Sequence, residues 1–513
     1  MATPPAFGDY EAQRHWMEVT TRLPLGRWYG DWPPENPVAW WGLDYPPLSA
    51  LQSWVHGLFV GALDPAGVAL VTSRGHESAW SKTVLRGTVL ASDVTLFFPA
   101  ALAAVAAFYP GKAAAPARLA TLLAVLLNPA AILIDHGHFQ YNCISLGLAA
   151  AAAAAVGAGN HSRSALPGVV ASILFTAAVH HKQMAAYFGP AFLGHLAGRA
   201  LQAGRAAGGG PRGAVVTAGR VAAYGSAVLG TAAACWAPFY FWAEGGDGVA
   251  GLSRAFARLA PLGRGLYEDY VANWWCATHP AFKWKARFSQ AALARGATAL
   301  TLAAAAPFAA YQLLRPSRIG FLYCMAASAF AFFLFSYQVH EKSILLPLLP
   351  VTLLAGREPG LAAWLPALAC FSMWPLLHRD GLGLAYSAAL LAWAAMATPD
   401  VSFGSRVQAA GWAGAAGSTL IAAGLHAGRE LLAPPPALPW LWDALVVSFA
   451  FLHIAAAALY VNWRLWIVPA DGEEEGKERK KNKSGAASAA AAAPSPPPPR
   501  RAGPRARRAV KAA

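Results

Sequence analysis

The feature that most constrains this chain is a series of long apolar stretches separated by short polar links. An α-helix needs about 20 mostly apolar residues to cross a ~30 Å hydrocarbon core. Only 13% of the 513 residues are charged, about half the fraction usual in soluble domains. The pattern therefore predicts an all-α polytopic membrane protein with about thirteen spans. They are expected near residues 90–110, 119–135, 143–159, 165–180, 184–198, 216–241, 292–314, 318–338, 345–356, 361–377, 382–396, 412–428 and 441–463.

Basic residues fall in alternate links between these spans, as the positive-inside rule requires. We therefore place these links in the cytosol, together with the tail that follows Arg464. The tail supplies most of the net charge of +15, so this charge does not indicate nucleic-acid binding; attraction to a lipid surface is the alternative. Residues 466–513 are rich in charge, Ala and Pro and are not expected to fold. The links contain Lys112, Arg118, Arg163, Arg199, Arg205, Arg212, Arg220, Arg315, Arg318, Arg357 and Arg406.

Polar clusters fall in the opposite set of links. They are the region up to about residue 88, "DHGHFQYN", "HHKQM", the loop at about 242–291 and "QVHEKS". One cluster alone, such as "LIDHGHFQYN", is equally consistent with a polar loop after a buried helix. Because ionisable residues at span ends tend to be functional, several clusters on one face predict a shared site.

The N-terminal region predicts short helices rather than spans. In "GDYEAQRHWMEVTTRLPL", apolar residues recur at helical spacing from Ala12 to Leu23, and the other face is charged. Such a helix is expected along the membrane interface, with "PLSALQSWVHGLFVGAL" as a second candidate. The prolines of "WWGLDYPPL" predict an extended turn that presents Asp44 and Tyr45. No leading span precedes Asp9, so a missing first helix or a truncated gene model is expected.

Seven motifs carry a resemblance to one eukaryotic family. The chain resembles the α-1,3-glucosyltransferases of the endoplasmic reticulum that use dolichyl phosphate glucose, most closely those that add the first glucose to the nine-mannose lipid-linked oligosaccharide. Enzymes that add the second glucose share "LDYPP" and "HEK" and are the alternative. Tyr270 departs from the family pattern, in which a Lys is expected. The motifs are "GDYEAQRHWMEVT", "WWGLDYPPLSA", "SRGHES", "ILIDHGHFQYN", "KQMAAYFGPAF", "RLAPLGRGLYEDYVANWWC" and "QVHEKSILLPLLP".

The resemblance implies a GT-C type fold and an inverting transfer from dolichyl phosphate glucose to a dolichyl-diphosphate oligosaccharide, for protein N-glycosylation in the lumen. Such a reaction needs a carboxylate base and cations that hold the departing phosphate. Asp9 matches the family's first-loop aspartate and is the expected base. Its structural alternative is a helix N-cap, and Asp44 is the rival base.

Other residues are expected to bind substrate. His340, Lys342, Arg264 and Lys182 are candidates for the phosphate, although Lys342 could instead snorkel at the membrane boundary. Asp44 and Tyr45 belong to the same predicted site. Asp135, His138 and Gln140 are expected to line the luminal pocket and to position the donor or order its loops. The alternative is hydrogen bonding between loops that shapes the cavity without touching sugar.

No metal or cofactor is expected. His136 and His138 lie two residues apart outside a strand and share no face. The cysteines lie singly, without the spacing of a metal site or a disulfide framework. They are Cys143, Cys235, Cys276, Cys324 and Cys370.

The chain is predicted to divide into four parts. They are a luminal region with interfacial helices and the catalytic motif (1–89), a transmembrane catalytic module (90–350), C-terminal transmembrane helices (351–465) and a basic cytosolic tail (466–513). The apolarity of 351–465 suggests a groove for the dolichyl chain.

Two other functional classes are the alternatives to an enzyme. They are a multispan transporter and a structural membrane subunit, but transporters usually keep ionisable groups near the bilayer midplane. The glycosylation sequons at Asn160 and Asn482 fall on the predicted cytosolic side.

Overall fold

The computed structural model describes residues 8–159, 162, 164–259, 265–397 and 406–468. This part of the chain is helical, with three isolated β-bridges and no strand. The α-helices are α1 Asp9–Arg22, α2 Pro47–Leu63, α3 Ala79–Ser92, α4 Phe98–Phe108, α5 Ala115–Leu126, α6 Pro129–Ile132, α7 Asn142–Ala158, α8 Leu166–His181, α9 Gly189–Ala206, α10 Gly210–Phe241, α11 Gly248–Leu259, α12 Trp274–Phe282, α13 Trp284–Arg287, α14 Gln290–Leu314, α15 Arg318–Phe335, α16 Leu345–Leu353, α17 Pro359–Ser372, α18 Trp374–Arg379, α19 Gly383–Ala397, α20 Arg406–Leu431 and α21 Leu441–Ile467.

Each apolar stretch predicted to span falls largely on helical backbone. Within the described residues, five helical segments are long and apolar enough to cross a membrane, and four apolar helices are shorter. The prediction of an all-α, multi-pass membrane protein is thus confirmed, whereas the count of thirteen spans stays a prediction. The five are Ala79–Phe108, Lys112–Phe139, Gln290–Leu314, Arg318–Phe335 and Leu441–Ile467; the four are Asn142–Ala158, Leu166–His181, Pro359–Ser372 and Gly383–Met396.

The first of these helices begins earlier than hydropathy predicts. The Ser78 side chain accepts a hydrogen bond from the Ser81 backbone N–H at 2.9 Å, which caps α3. From there the helix continues through a π-helical turn at Asp93–Phe97 into α4. Hydropathy detected only the apolar part, so the predicted boundary at residue 90 lies inside a continuous helix.

Small side chains let the helices approach closely. α4 and α8 both pack against α7, and Ala149, Ala150 and Ala153 of α7 are completely buried. In α9, a Cβ at Gly194 would collide with the Ala309 carbonyl oxygen of α14. The Ala-rich and Gly-rich composition of the spans therefore serves helix packing. α15, which is buried along almost its whole length, lies at the centre and packs against α9, α14, α16 and α21.

Helix α1 is buried on both faces. Its charged face, which the sequence alone assigns to the membrane interface, is covered by protein: Arg14 donates to Glu11 at 2.6 Å, to Glu18 at 2.9 Å and to the Gly67 carbonyl at 3.1 Å. All three charged side chains are inaccessible to solvent. Because a buried charge is tolerated only when it is paired, this network ties α1 firmly to the following loop. It thereby fixes the position of Asp9, the first residue of α1.

Candidate active site

The motif "LIDHGHFQYN" is the widened end of a long helix rather than a loop. Residues Leu133–Phe139 form a π-helical turn at the end of the helix that begins at Lys112, and Phe139 has a φ of 86°. The extra residue of a π turn changes the direction of the side chains, and such turns are frequent at functional sites. Here it turns Asp135, His136 and His138 toward different neighbours.

Asp135 orders the backbone and does not line the cavity described below. Its carboxylate accepts hydrogen bonds from the backbone N–H groups of Asn142 and Cys143, at 3.2 and 2.7 Å, and from the Asn142 side chain at 2.6 Å. These groups begin helix α7, whose free N–H groups favour a carboxylate. The prediction that Asp135 lines the pocket is therefore wrong, and loop ordering is the part of that prediction that fits.

The two histidines of the motif take separate partners. His136 Nε2 lies 2.7 Å from Asp93 Oδ2, whereas His138 bonds to Asp9 and Asp380. The two imidazoles therefore do not face a common metal position. In the part of the chain that is described, no group of three His, Cys, Asp or Glu residues could hold a metal ion. The expectation of a metal-free site stays a prediction.

Asp9 is the centre of a polar cluster. Its Oδ2 accepts a hydrogen bond from Lys342 Nζ at 2.5 Å, lies 2.8 Å from His138 Nε2, and also accepts from the Gln140 side-chain amide. The N-cap of α1 is Gly8, without a side-chain capping bond, so the N-cap alternative for Asp9 does not describe this geometry. Residues from three distant parts of the sequence meet at one carboxylate oxygen.

A second layer holds the partners of Asp9 in place. Lys182 Nζ donates to the side-chain oxygens of Gln140 and Asn142, each at 2.6 Å, and lies 5.0 Å from the centre of the Tyr45 ring. Gln140 therefore links Lys182 to Asp9. On the other side, His138 Nδ1 bonds to the Asp380 carboxylate. The hydrogen bonds of this layer fix both the amide and the imidazole that face Asp9.

Asp380 is the residue that sequence reasoning missed. It follows α18 in "LHRDGLG", within the C-terminal part of the chain, which contains none of the seven motifs. The available signal was an acidic residue at the end of an apolar segment, which is costly near a membrane and so tends to be functional. The sequence could not show which side chain it meets.

A cavity of about 870 Å³ is bordered by Asp9 and by its neighbours Gln140, Lys182 and Lys342. Its lining combines these polar groups with apolar side chains such as Leu146, Phe332, Leu345 and Leu346. Trp16, Trp41, Arg258 and Glu268 also line it and were not predicted. Arg264 lies outside the described residues, and His138 lies behind Asp9. The predicted site residues in the lining are Asp9, Asp44, Tyr45, Gln140, Lys182, His340 and Lys342.

The charges of the cluster stabilise one another. Burial alone would raise the pKa of Asp9, but the Lys342 ammonium and His138 hold it well below its usual range. Burial would likewise lower the pKa of Lys342, and the neighbouring carboxylates of Asp9 and Glu341 instead raise it. At neutral pH the pair is a carboxylate and an ammonium. Lys182 Nζ bonds instead to two amide oxygens, and burial lowers its pKa to about 8.

A family model matches residues 1–460, almost the whole membrane part of the chain; it describes the ALG6, ALG8 glycosyltransferase family. The chain belongs to this family. Membership confirms the resemblance and the enzyme class predicted from the motifs, and it removes the basis for a transporter or a structural subunit.

Relatives in this family come from distant eukaryotes. A protein of Arabidopsis thaliana named probable dolichyl pyrophosphate Man9GlcNAc2 alpha-1,3-glucosyltransferase is 41% identical over 93% of this chain and 87% of its own length. The Saccharomyces cerevisiae protein with the same activity in its name is 37% identical over 76% of this chain and 68% of its own length. The Gallus gallus protein is 37% identical over 76% of this chain and 72% of its own.

Proposed function

We propose that this protein transfers glucose from dolichyl phosphate glucose to the Man9GlcNAc2 oligosaccharide of a dolichyl-diphosphate carrier, in α-1,3 linkage and in the lumen of the endoplasmic reticulum. The observation that carries the proposal is the contact of 2.5 Å between Asp9 and Lys342 at the wall of the cavity. It places a carboxylate, which can accept a proton, beside a cation, which can hold a phosphate. The names of the relatives supply the acceptor and the linkage.

The reaction is a single displacement at the anomeric carbon. The acceptor hydroxyl oxygen forms a bond to C1 of glucose while Asp9 takes the hydroxyl proton. The bond between C1 and the phosphate oxygen breaks, and its electron pair leaves with dolichyl phosphate. Because attack and departure occur on opposite faces, a β-linked donor gives an α-linked product.

Lys342 changes its partner during this reaction. In the structure it neutralises Asp9, and a carboxylate with such a low pKa is a weak base. When the donor phosphate enters, it offers the ammonium a second anionic partner. Asp9 then regains basicity at the stage at which it is needed, and the developing charge on the phosphate is stabilised.

The cavity suits a lipid-linked donor because its lining includes both polar and apolar side chains. Lys182 and Arg258 add positive charge to the lining, and His340 and Arg264 are proposed as further phosphate ligands. Asp44 and Tyr45 are proposed to contact the sugar, and the apolar wall to contact the first isoprene units. Helices of the C-terminal part, 351–465, would extend this groove.

The proposed topology follows the charge distribution of the loops. About thirteen spans form a GT-C type fold, with the region before residue 90 and the active site in the lumen and residues 466–513 in the cytosol. This topology predicts an unmodified Asn160, and glycan found on Asn160 by mass spectrometry would reverse the orientation.

Reconstitution tests the reaction directly. Purified protein in liposomes is supplied with radiolabelled dolichyl phosphate glucose and either the nine-mannose acceptor or the same acceptor bearing one glucose. We expect label only on the unglucosylated acceptor. Label on the one-glucose acceptor would instead identify a second-glucose enzyme, and transfer from a nucleotide sugar but not from dolichyl phosphate glucose would contradict the donor assignment.

Activity should decline at alkaline pH because of Lys182. The Lys182 ammonium holds Gln140 against Asp9, and it loses its proton as the pH rises through its pKa of about 8. We therefore expect kcat/KM for the donor to be highest below that pH and to fall above it. Arginine stays charged throughout, so Lys182→Arg should be less active but should lack this decline. A wild-type profile that stays level to about pH 9.5 would contradict the assignment.

Asp380 should support the reaction through His138. We expect Asp380→Asn to lower kcat roughly tenfold, a typical coupling between residues in contact, and Asp380→Glu to recover part of this loss. In a His138→Gln background the same change should have little further effect, because the imidazole that Asp380 positions is absent. Losses that multiply in the double variant would indicate a separate structural role for Asp380.

A further inference from the structure

A second, smaller cavity lies next to the active site. His340 and Lys342 line the large cavity, whereas Glu341 between them lines a separate cavity of about 200 Å³. The wall between the two cavities therefore includes the backbone of residues 340–342. A ligand in the small cavity would therefore lie beside Glu341, the residue that precedes Lys342 in the chain. The Lys342 ammonium contacts Asp9.

Glu341, which lines this cavity, has a buried carboxylate oxygen without a hydrogen-bond partner among the described residues. This oxygen is Oε2, and the residue is only 5% exposed. Burial raises its pKa. A buried carboxyl without a partner costs free energy in either protonation state, so a ligand that offers hydroxyl groups would satisfy it.

The other walls of the cavity carry paired charges. Arg379 contacts Asp269 at 2.9 Å, and Arg429 contacts Asp443 at 3.0 Å. With Glu341 the lining holds three carboxyl groups and two guanidinium groups. Both arginines are thus already neutralised, which disfavours a phosphate and favours a neutral ligand with many hydroxyl groups.

The shape and the remaining lining fit a sugar ring. Tyr270, Met373, Pro375 and Leu376 supply an aromatic and apolar surface beside the polar groups, which matches the two kinds of surface of a hexose. The volume is that of about six or seven waters at ~30 Å³ each. This is room for one ring but not for a lipid chain.

We propose that the small cavity is a subsite for one hexose of the acceptor oligosaccharide, in which Glu341 and Arg429 bind ring hydroxyls. This inference rests on the proposed function and extends it by placing a sugar beyond the one that receives glucose. Tyr270, which departs from the family pattern, then contacts sugar through its ring.

The kinetics of Glu341→Gln test the subsite. A hydrogen bond that involves a charged group contributes about 1.5–3 kcal/mol, which corresponds to a rise of about 10- to 100-fold in the KM for the nine-mannose acceptor. The KM for dolichyl phosphate glucose should rise much less than the acceptor KM, which separates the loss of a sugar contact from an effect on Lys342. Glu35→Gln is the matched control, since Glu35 is partly exposed and outside the lining of both cavities; its acceptor KM should not change.

A second variant tests the subsite independently of any misfolding that Glu341→Gln causes near Lys342. Arg429→Gln changes the opposite wall, on α20, and should raise the acceptor KM in the same way. An unchanged acceptor KM in folded, active Glu341→Gln or Arg429→Gln protein would overturn the subsite, as would a rise in the donor KM alone. Failure of the proposed function is a separate result, because wild-type protein would then transfer no glucose to the nine-mannose acceptor.

Discussion

Asp9→Asn is expected to lower kcat by ~10²–10⁴-fold, the usual contribution of a general base. Asparagine keeps the size of the side chain and can still accept a hydrogen bond from Lys342 or His138, but it cannot take the proton of the acceptor hydroxyl. The KM values should change much less than kcat. The measurement is glucose transfer by purified protein, normalised to folded protein by size-exclusion chromatography and a thermal melt.

Two comparisons make this prediction specific. Asp93→Asn removes another ion-paired aspartate, which lies outside the lining of both cavities, and should leave kcat near wild type. Asp44→Asn tests the rival base. Activity that survives in Asp9→Asn but is lost in Asp44→Asn would transfer the role of base to Asp44.

Lys342→Gln is expected to lower kcat by about 10²-fold, because removing one donor to a developing negative charge typically costs 10²–10³-fold. The variant loses the cation proposed to receive the phosphate, and it leaves Asp9 without its closest positive neighbour. Lys342→Arg retains the charge and should keep more activity than Lys342→Gln, although the guanidinium does not reproduce the geometry of the ammonium.

The same variant should change the pH dependence in a defined direction. Asp9 must be ionised to act as a base, so activity is lost as pH falls through its pKa. In the wild type Lys342 and His138 hold this pKa well below the usual range. Without Lys342 the effect of burial dominates and raises the pKa, so the acidic decline of kcat/KM should move to higher pH. A Lys342→Gln profile that is parallel to the wild type would contradict the coupling between the two residues.

Much of the fold could be predicted from the sequence. Helices that cross a membrane satisfy their own backbone hydrogen bonds, and their side chains face lipid or other helices. Each such helix therefore appears in the sequence as a long run of apolar residues. The predicted stretches accordingly fall on helices. Their ends were less accurate, as at Ala79, because polar residues that face protein rather than lipid do not register in hydropathy.

The residues of the site were partly predictable because the motifs are local. Asp9, Gln140, Lys182 and Lys342 lie in clusters of polar residues that stand out against apolar surroundings. Asp135 was assigned to the pocket for the same reason, but the π-helical turn directs it to the start of α7. The direction of a side chain at the end of a helix depends on backbone geometry that residue type does not reveal.

The sequence by itself determined the membrane class, the helical architecture and the short motifs that carry the chemistry, because each depends on residues that are neighbours in the chain. Only the tertiary structure decided that the Asp9 carboxylate meets His138 and Lys342, that Asp380 stands behind the imidazole, and that Glu341 faces a separate cavity. These contacts join residues up to 333 positions apart. They arise from the packing of whole helices, which no local pattern of residues specifies.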